Sequence, residues 1–200
     1  LAVDASGSVY VAGNFSSATL NFNNGISLVR INGSDAYISK YNSAGTCQWA
    51  EIIGGAGNEY ANSLAVDSTG YIYVAGYFSS DTLYFNNGIL LTNNGSSDAY
   101  VAKYNSDGTC QWAERTGGTG NDRANSISVD NTGYVYVAGY FSSDTLYFNN
   151  DILLTNSGSN DAYIAKYSEI EILSSPLLFF PANNSTNQPL NPVFEWLPYP

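Results

Sequence analysis

Residues 66–78 read VDSTGYIYVAGYF, and closely similar stretches stand at 3–15, VDASGSVYVAGNF, and at 129–141, VDNTGYVYVAGYF. The three stretches begin 63 residues apart, and the similarity continues well beyond them in each copy. A fixed period of this length indicates a protein built from stacked structural units. The fold of the chain therefore follows from the structure that one unit adopts.

Each unit has the sequence pattern of β-structure. Its apolar runs alternate with a period of two, are rich in β-branched and aromatic residues, and are bounded by Gly, Asn, Ser and Asp. In the second unit this pattern predicts no helix and four main strands, at 63–66, 71–78, 99–104 and 110–115. Asp67-Ser68-Thr69-Gly70 predicts a hairpin turn, and 82–92 predicts a small additional hairpin about an Asn-Asn-Gly turn.

An antiparallel four-stranded sheet repeated at a fixed period is typical of the blades of a β-propeller. The predicted fold class is all-β, a partial propeller of about three blades, at 1–63, 64–126 and 127–172, the last incomplete. Closed propellers have about four to eight blades. We therefore expect the chain to be the C-terminal arc of a larger propeller.

The composition of the chain changes after the third unit. Residues 169–200 hold all six prolines and no glycine, whereas the repeats are rich in glycine and lack proline. This shift predicts a domain boundary near residue 172, a linker at 173–187 and the start of a further module at 188–200.

The composition also excludes several functions. The chain has no histidine, which removes the usual general base, the Ser-His and Cys-His nucleophile pairs and the commonest transition-metal ligand. Six basic residues against seventeen acidic ones give a net charge of −11, so we expect no affinity for nucleic acid or anionic lipid. No apolar run reaches the roughly 18 residues that a membrane-spanning helix needs.

The repeats resemble the bacterial SBBP-type β-propeller repeat, a relative of the NHL blade, over residues 1 to about 168. The resemblance is carried by an Asp-x-x-Gly turn, an aliphatic-Tyr-Val-x-Gly strand, a strand ending in Lys-Tyr and a Gly-x-x-x-Trp-Ala strand. The matching positions in the second unit include Asp67, Gly70, Gly76, Asp98, Lys103 and Trp112. These six are expected to be structural positions of the repeat.

This resemblance implies a secreted or cell-surface bacterial protein with no activity common to the family. Residues 187–196, NQPLNPVFEW, resemble the opening of a fibronectin-like or immunoglobulin-like module. We therefore expect 188–200 to be the truncated start of such a module.

Charged residues recur at equivalent positions and are the first candidates for a site. The three lysines Lys40, Lys103 and Lys166 are expected to pair with carboxylates, because a partly buried ammonium group needs a partner. The candidate partners are Asp35, Asp98 and Asp161, or Asp4, Asp67 and Asp130. A ring of lysines facing a ligand is the alternative.

Asp4, Asp67 and Asp130 are also weak candidates for calcium ligands, since calcium prefers oxygen donors. One aspartate per turn is instead typical of turn hydrogen bonds, so we expect no metal, cofactor or catalytic residue in this chain. The glycine-rich segments 54–59 and 117–122 lack the lysine and helix of a phosphate loop and are expected to connect blades. Cys47 and Cys110 are expected to be unpaired, buried thiols.

These observations favour a non-catalytic extracellular or cell-surface module that contacts a protein or a glycan. The alternative is part of a secreted propeller hydrolase or lyase whose catalytic residues lie outside this fragment. Blades this similar offer the same environment several times over, whereas acid-base catalysis needs two carboxyls in unlike environments. The units differ most at 27–33 and 54–60, which are the predicted partner-contact loops.

Overall fold

The computed structural model describes residues 1–148 and 152–167 and the backbone of a short strand at Leu177–Leu178. The first repeat contains β1 (Ala2–Val3), β2 (Val9–Phe15), β3 (Thr19–Asn21), β4 (Ser27–Val29), β5 (Asp35–Tyr41) and β6 (Cys47–Ile53). The second contains β7 (Glu59–Val66), β8 (Ile72–Phe78), β9 (Thr82–Tyr84), β10 (Leu90–Thr92), β11 (Asp98–Tyr104) and β12 (Cys110–Thr116). The third contains β13 (Asp122–Val129), β14 (Val135–Phe141), β15 (Thr145–Tyr147), β16 (Leu153–Thr155), β17 (Asp161–Tyr167) and β18 (Leu177–Leu178).

The chain folds as part of a β-propeller, as the repeats predict. Its three four-stranded sheets have the orders β1-β2-β5-β6, β7-β8-β11-β12 and β13-β14-β17-β18, and every pairing within them is antiparallel. The remaining strands form one small hairpin per repeat, between the second and third strands of each sheet. The four main strands and the additional hairpin predicted for the second unit are therefore confirmed. Among the described residues, the prediction of no helix is wrong only at the hairpin turns, where Asn23–Gly25 and Asn86–Gly88 each form a short 3₁₀ helix.

The sheets stack face to face, and the sequence alternation shows why. On β8, Val74 faces the apolar layer shared with the first repeat, whereas Tyr73 and Ala75 face the layer shared with the third. Successive side chains of a strand point to opposite faces, so a strand between two sheets is buried on both. Full burial of one such aliphatic side chain contributes about 1.5–3 kcal/mol. The stacking of blades thus accounts for most of the hydrophobic core.

The first strand of the second and third repeats is longer than the sequence pattern predicts. It begins at Glu59 in the second repeat and at Asp122 in the third, and a β-bulge shifts the register at Asn62 and between Ala124 and Ser126. A bulge breaks the period-two pattern, which hid the start of the strand. The predicted blade limits at 63/64 and 126/127 therefore fall inside β7 and β13.

The turns follow the predicted chemistry. The Oδ1 atom of Asp67 accepts hydrogen bonds from the backbone N–H groups of Thr69 and Tyr71 at 2.8 and 3.0 Å, and Gly70 has a φ of 89°. In the small hairpin, Asn87 has a φ of 65°, a left-handed conformation that asparagine tolerates. Asparagine and glycine thus turn the chain where the sequence places them.

The third sheet differs from the expectation at its fourth position. Instead of a Gly-x-x-x-Trp-Ala strand, the two-residue strand Leu177–Leu178 pairs with Ala165 and Lys166, inside the segment predicted as a linker. Pairing there satisfies backbone groups of β17 that would otherwise lack partners in the sheet. The predicted module at 188–200 lies outside the described residues. In the part of the chain that is described, no helix is long and apolar enough to cross a membrane.

Candidate functional site

The aspartates of the Asp-x-x-Gly turns are engaged by their own turns. Asp67 accepts four hydrogen bonds, three from Thr69 and Tyr71 and one from the Tyr73 hydroxyl at 3.1 Å, and Asp4 and Asp130 have equivalent partners. Although partial burial raises it, these donors lower the pKa of Asp4 to about 2. Within residues 1–148 and 152–167, no three acidic or cysteine side chains form a metal-binding group.

The lysines lie over tyrosine rings at the same end of the sheets. Lys103 Nζ is 3.9 Å from the ring centroid of Tyr71 and 5.3 Å from that of Tyr73, whose hydroxyl binds Asp67. Asp98 lies at the other end of β11, five residues and about 16 Å away along the strand. Of the two predicted sets of partners, the first is therefore excluded within each strand, because the same spacing also separates Lys40 from Asp35 and Lys166 from Asp161. The second set, Asp4, Asp67 and Asp130, stays a prediction. Lys166 likewise lies 3.6 Å from the Tyr134 ring centroid, and such cation–π contacts contribute about 0.5–1 kcal/mol at exposed sites.

The aspartates at the opposite end hold the small hairpins in place. Asp98 Oδ2 accepts hydrogen bonds from the backbone N–H of Asn94 at 2.9 Å and from Arg115 Nη1 at 2.8 Å. Asp161 accepts one from the backbone N–H of Ser157 at 2.8 Å. Burial raises the pKa of Asp98, and the bonds from Asn94 and Arg115 oppose that rise.

The glycine-rich segments connect neighbouring sheets, as predicted. A Cβ atom at Gly55 would lie 2.6 Å from both Ser80 Cβ and the Thr82 carbonyl oxygen of the next sheet. At the equivalent Gly118, a Cβ atom would lie 2.7 Å from Ser143 Cβ. Only glycine allows backbone and neighbouring sheet to approach this closely. Gly54 and Gly55 are both buried. The close packing of the two sheets therefore requires the double glycine.

Buried acid pairs at the sheet junctions were missed in the sequence. Glu59, fully buried at the start of β7, lies against Asp35 of the first sheet and accepts a hydrogen bond from the Ser80 hydroxyl. Burial, and to a smaller extent the neighbouring Asp35 carboxyl, raises the pKa of Glu59 to about 7. The hydrogen bond from Ser80 opposes this rise. The equivalent acid, Asp122, lies near Asp98. Glu59 and Asp122 occupy the same position of the repeat, and this recurrence of an acid is the sequence pattern that indicates the pairs.

The two junctions are not alike. Asp122 accepts hydrogen bonds from the Ser143 hydroxyl at 2.6 Å and the Gly118 backbone N–H at 2.7 Å, whereas Glu59 Oε2 has no hydrogen-bond partner. The expectation that all blades offer the same carboxyl environment is therefore wrong. Both acids are nevertheless fully buried, so neither reaches a ligand at the surface.

Trp112 and the cysteines have structural positions. The Trp112 ring lies 6.4 Å from that of Tyr73 and packs against the layer between the second and third sheets. Cys47 and Cys110 are buried free thiols, as predicted. Burial raises the pKa of Cys110 to about 12, which keeps it in the unreactive thiol form.

The exposed apolar residues recur on the small hairpins. Tyr84 is 52% exposed and pairs across the hairpin with Leu90, which is 54% exposed; Tyr147 and Leu153 form the same pair in the third repeat. The opposite hairpin face carries Leu83, which is fully buried. In the first repeat the corresponding pair is Asn21 and Ser27. Two of the three hairpins thus present an apolar pair to solvent.

The hairpins also link neighbouring repeats. Tyr84 exchanges two backbone hydrogen bonds with Gly54, at 2.9 and 3.2 Å, and Tyr147 does the same with Gly117. Of the two predicted contact loops, 27–33 carries the exposed side chains Val29 and Ile31. Most of 54–60 instead lies in the connection between the two sheets.

Near the start of the first strands, rings and a guanidinium group form a stack between the second and third sheets. Tyr60 and Tyr77 stack with ring centroids 4.7 Å apart, and Arg123 Cζ lies 4.2 Å from the Tyr77 centroid and 5.8 Å from that of Tyr140. All four side chains are half-buried. One feature of the sequence indicates this stack: Arg123 occupies the repeat position that Tyr60 holds in the second repeat.

Residues 48–80 and 111–143 match the family model described as SBBP, beta-propeller repeat. Each match runs from the last strand of one sheet, through the glycine-rich junction, to the end of the second strand of the next sheet. The fold and this match together make the chain a β-propeller repeat protein.

The sequence is similar to two known proteins over most of its length. It is 28% identical over 187 residues to the uncharacterized WD repeat-containing protein L264 of Acanthamoeba polyphaga mimivirus, covering 84% of this chain and 14% of that protein. It is 34% identical over 167 residues to the regulatory protein FlaEY of Caulobacter vibrioides, covering 82% of this chain and 17% of that protein. The chain therefore spans less than a fifth of either relative.

Proposed function

We propose that this chain is a non-catalytic interaction module of a secreted or cell-surface bacterial protein. The observation that carries the proposal is the recurrence of an exposed Tyr–Leu pair on two hairpins, Tyr84 with Leu90 and Tyr147 with Leu153. Large exposed apolar side chains in register on adjacent repeats are typical of a surface that binds a partner. The match to a propeller repeat model supports this class, because such repeats present loops and strands on a rigid scaffold.

The acidic side chains support a role without catalysis. Glu59, Asp98 and Asp122 are fully buried and bind neighbouring serine, arginine or backbone groups. The turn aspartates Asp4 and Asp67 accept bonds from their own turns. A general acid or base must reach the proton that it transfers, and these groups are either fully buried or bound within their own turns.

The hairpin surface favours a protein partner with apolar side chains and a basic rim. Asp81 and Asp144 are exposed at the open ends of the two hairpins, and the chain as a whole carries a charge of −11. Charge complementarity therefore selects a cationic partner, with the apolar pairs supplying most of the contact energy. The secreted or cell-surface location rests on the resemblance of the repeats.

The first repeat supplies the control for a test. Tyr84→Asn with Leu90→Ser, together with Tyr147→Asn and Leu153→Ser, gives both hairpins the Asn–Ser pair of the first repeat without altering their buried face. A peptide-display library is panned against the intact protein and against this variant. Peptides that combine aromatic or aliphatic residues with lysine or arginine should be enriched on the wild type alone, and their binding should weaken as salt rises.

A glycan array and an assay for released sugars complete the experiment. Equal enrichment on the wild type and the hairpin variant would reject the hairpins as the contact surface. Release of product from any array member by the intact protein would reject the non-catalytic role and favour a hydrolase or lyase.

A further inference from the structure

The stack formed by Tyr60, Tyr77, Arg123 and Tyr140 leaves a guanidinium group without an acceptor. Within residues 1–148 and 152–167, the other two arginines each donate a hydrogen bond from Nη1, Arg30 to the Gly33 carbonyl and Arg115 to Asp98. The Arg123 side chain lies near the Tyr77 and Tyr140 rings and has no hydrogen-bond acceptor among these residues; its Nε atom is buried without a partner, as is that of Arg30. Among the described residues, Arg123 is therefore the arginine whose terminal Nη groups donate to no protein acceptor, whereas Arg30 and Arg115 each donate from Nη1.

The geometry of the stack suits an anionic ligand. Arg123 Cζ lies 4.2 Å from the Tyr77 ring centroid, and a guanidinium packed on an aromatic ring can still donate hydrogen bonds in its own plane. Those donors form a fork that matches the two oxygens of a carboxylate. Because the side chain is already packed against Tyr77 and lies near Tyr140, binding would cost little side-chain entropy.

The surroundings limit the ligand to a single negative charge. The lysines lie over tyrosine rings at the opposite end of the sheets, and Arg30 and Arg115 have their own partners. One guanidinium in a chain with a charge of −11 attracts one carboxylate and repels a polyanion.

Neighbouring side chains favour a sugar ring as the carrier of that carboxylate. Tyr60 is half-exposed at the end of the stack, and aromatic side chains with one wet edge suit contact with a sugar ring. The bulge residues Asn62 and Asn125 are exposed on the same strands, and their amides suit hydroxyl groups. Asn62 is itself fixed by a 2.8 Å bond to the Ala124 carbonyl of the next sheet.

We propose that Arg123, packed against Tyr77 and close to Tyr140, binds the carboxylate of a uronic acid residue in a glycan, with Tyr60 contacting the sugar ring. The site is separate from the hairpin pairs and goes beyond the protein contact proposed above. Its ligand is recognised by one charge-assisted fork and one ring contact, so we expect modest affinity that falls with salt.

The test uses the intact protein and a disaccharide of a uronic acid linked to a neutral sugar, with its carboxyl-reduced form as the neutral probe. Calorimetric titration should give saturable binding of the acidic disaccharide and at least about tenfold weaker binding of the reduced one. Arg123→Gln should weaken the acidic probe about as much, and Arg123→Lys, which keeps the charge but loses the fork, should weaken it less. Arg30→Gln removes a positive charge elsewhere and should leave affinity unchanged.

Other results would reject the site, its ligand class or the non-catalytic role separately. Equal binding of both disaccharides, or equal losses for Arg123→Gln and Arg30→Gln, would remove the site. Tighter, Arg123-dependent binding of a glutamate hexapeptide would assign it to acidic peptides instead. Cleavage of the disaccharide would reject the non-catalytic role while leaving the site intact, and loss of the site alone would leave the hairpin contact standing.

Discussion

Glu59 should make the protein less stable as pH rises through neutrality. The unfolded state releases this proton near the ordinary pKa of 4.5, whereas the folded state holds it until about pH 7. The folded state therefore binds more protons between these values, and stability falls with increasing pH across that window. At about 1.4 kcal/mol per pH unit, the loss by pH 8 is up to about 3 kcal/mol.

Glu59→Gln removes the titrating group and keeps an acceptor for the Ser80 hydroxyl. Its amide can also donate to Asp35, so we expect the variant to match the wild type near pH 4.5 and to be up to about 3 kcal/mol more stable at pH 8. Urea unfolding followed by circular dichroism at half-unit steps of pH measures the difference directly.

The third repeat gives the matched control for this experiment. Asp122→Asn should destabilise the protein by about 1–3 kcal/mol, because the Asp122 carboxylate accepts bonds from Ser143 and Gly118 that an amide cannot fully replace. A Glu59→Gln variant that is less stable than the wild type at pH 8 would refute the argument. So would a difference between the two proteins that stays constant from pH 5 to pH 8.

Three further perturbations test the packing. Gly55→Ala should destabilise the protein by about 1–3 kcal/mol through overpacking against Ser80, whereas Gly158→Ala, with open space around its Cβ position, should change stability little in the same urea titration. Asp67→Ala should cost about 1–3 kcal/mol and Asp67→Asn clearly less, since asparagine keeps an acceptor for the turn; equal losses would contradict the turn role. Cys110 should react with a thiol reagent at pH 8 only after unfolding, because it is buried and its pKa is raised to about 12; rapid reaction of the folded protein would contradict its burial.

Much of the fold could be predicted because sequence period and structure agree within each strand. β8 has an apolar or aromatic residue at nearly every position, and the structure buries Tyr73 and Val74 on opposite faces of the same sheet. The Asp-x-x-Gly and Asn-Asn-Gly turns were identified for the same reason, since their residues supply the needed hydrogen bonds and φ angles locally.

The missed features depend on contacts between repeats. The bulge at Asn62 concealed four residues of β7, because its extra residue breaks the alternation. The pairing of Glu59 with Asp35 and the stacking of Arg123 on Tyr77 join residues that are 24 and 46 positions apart. A period within one unit carries no information about which side chains of two units meet.

The backbone bonds between Gly54 and Tyr84, and between Gly117 and Tyr147, bind each small hairpin to the unit that precedes it. A cut at the sequence period would divide β7 or β13, and a cut between sheets would separate a hairpin from its glycine support. Insertion, duplication or exchange of one unit would therefore preserve these bonds only if both neighbours retained the same junction. Such a dependence couples the unfolding of adjacent units, so this arc should melt in a single transition.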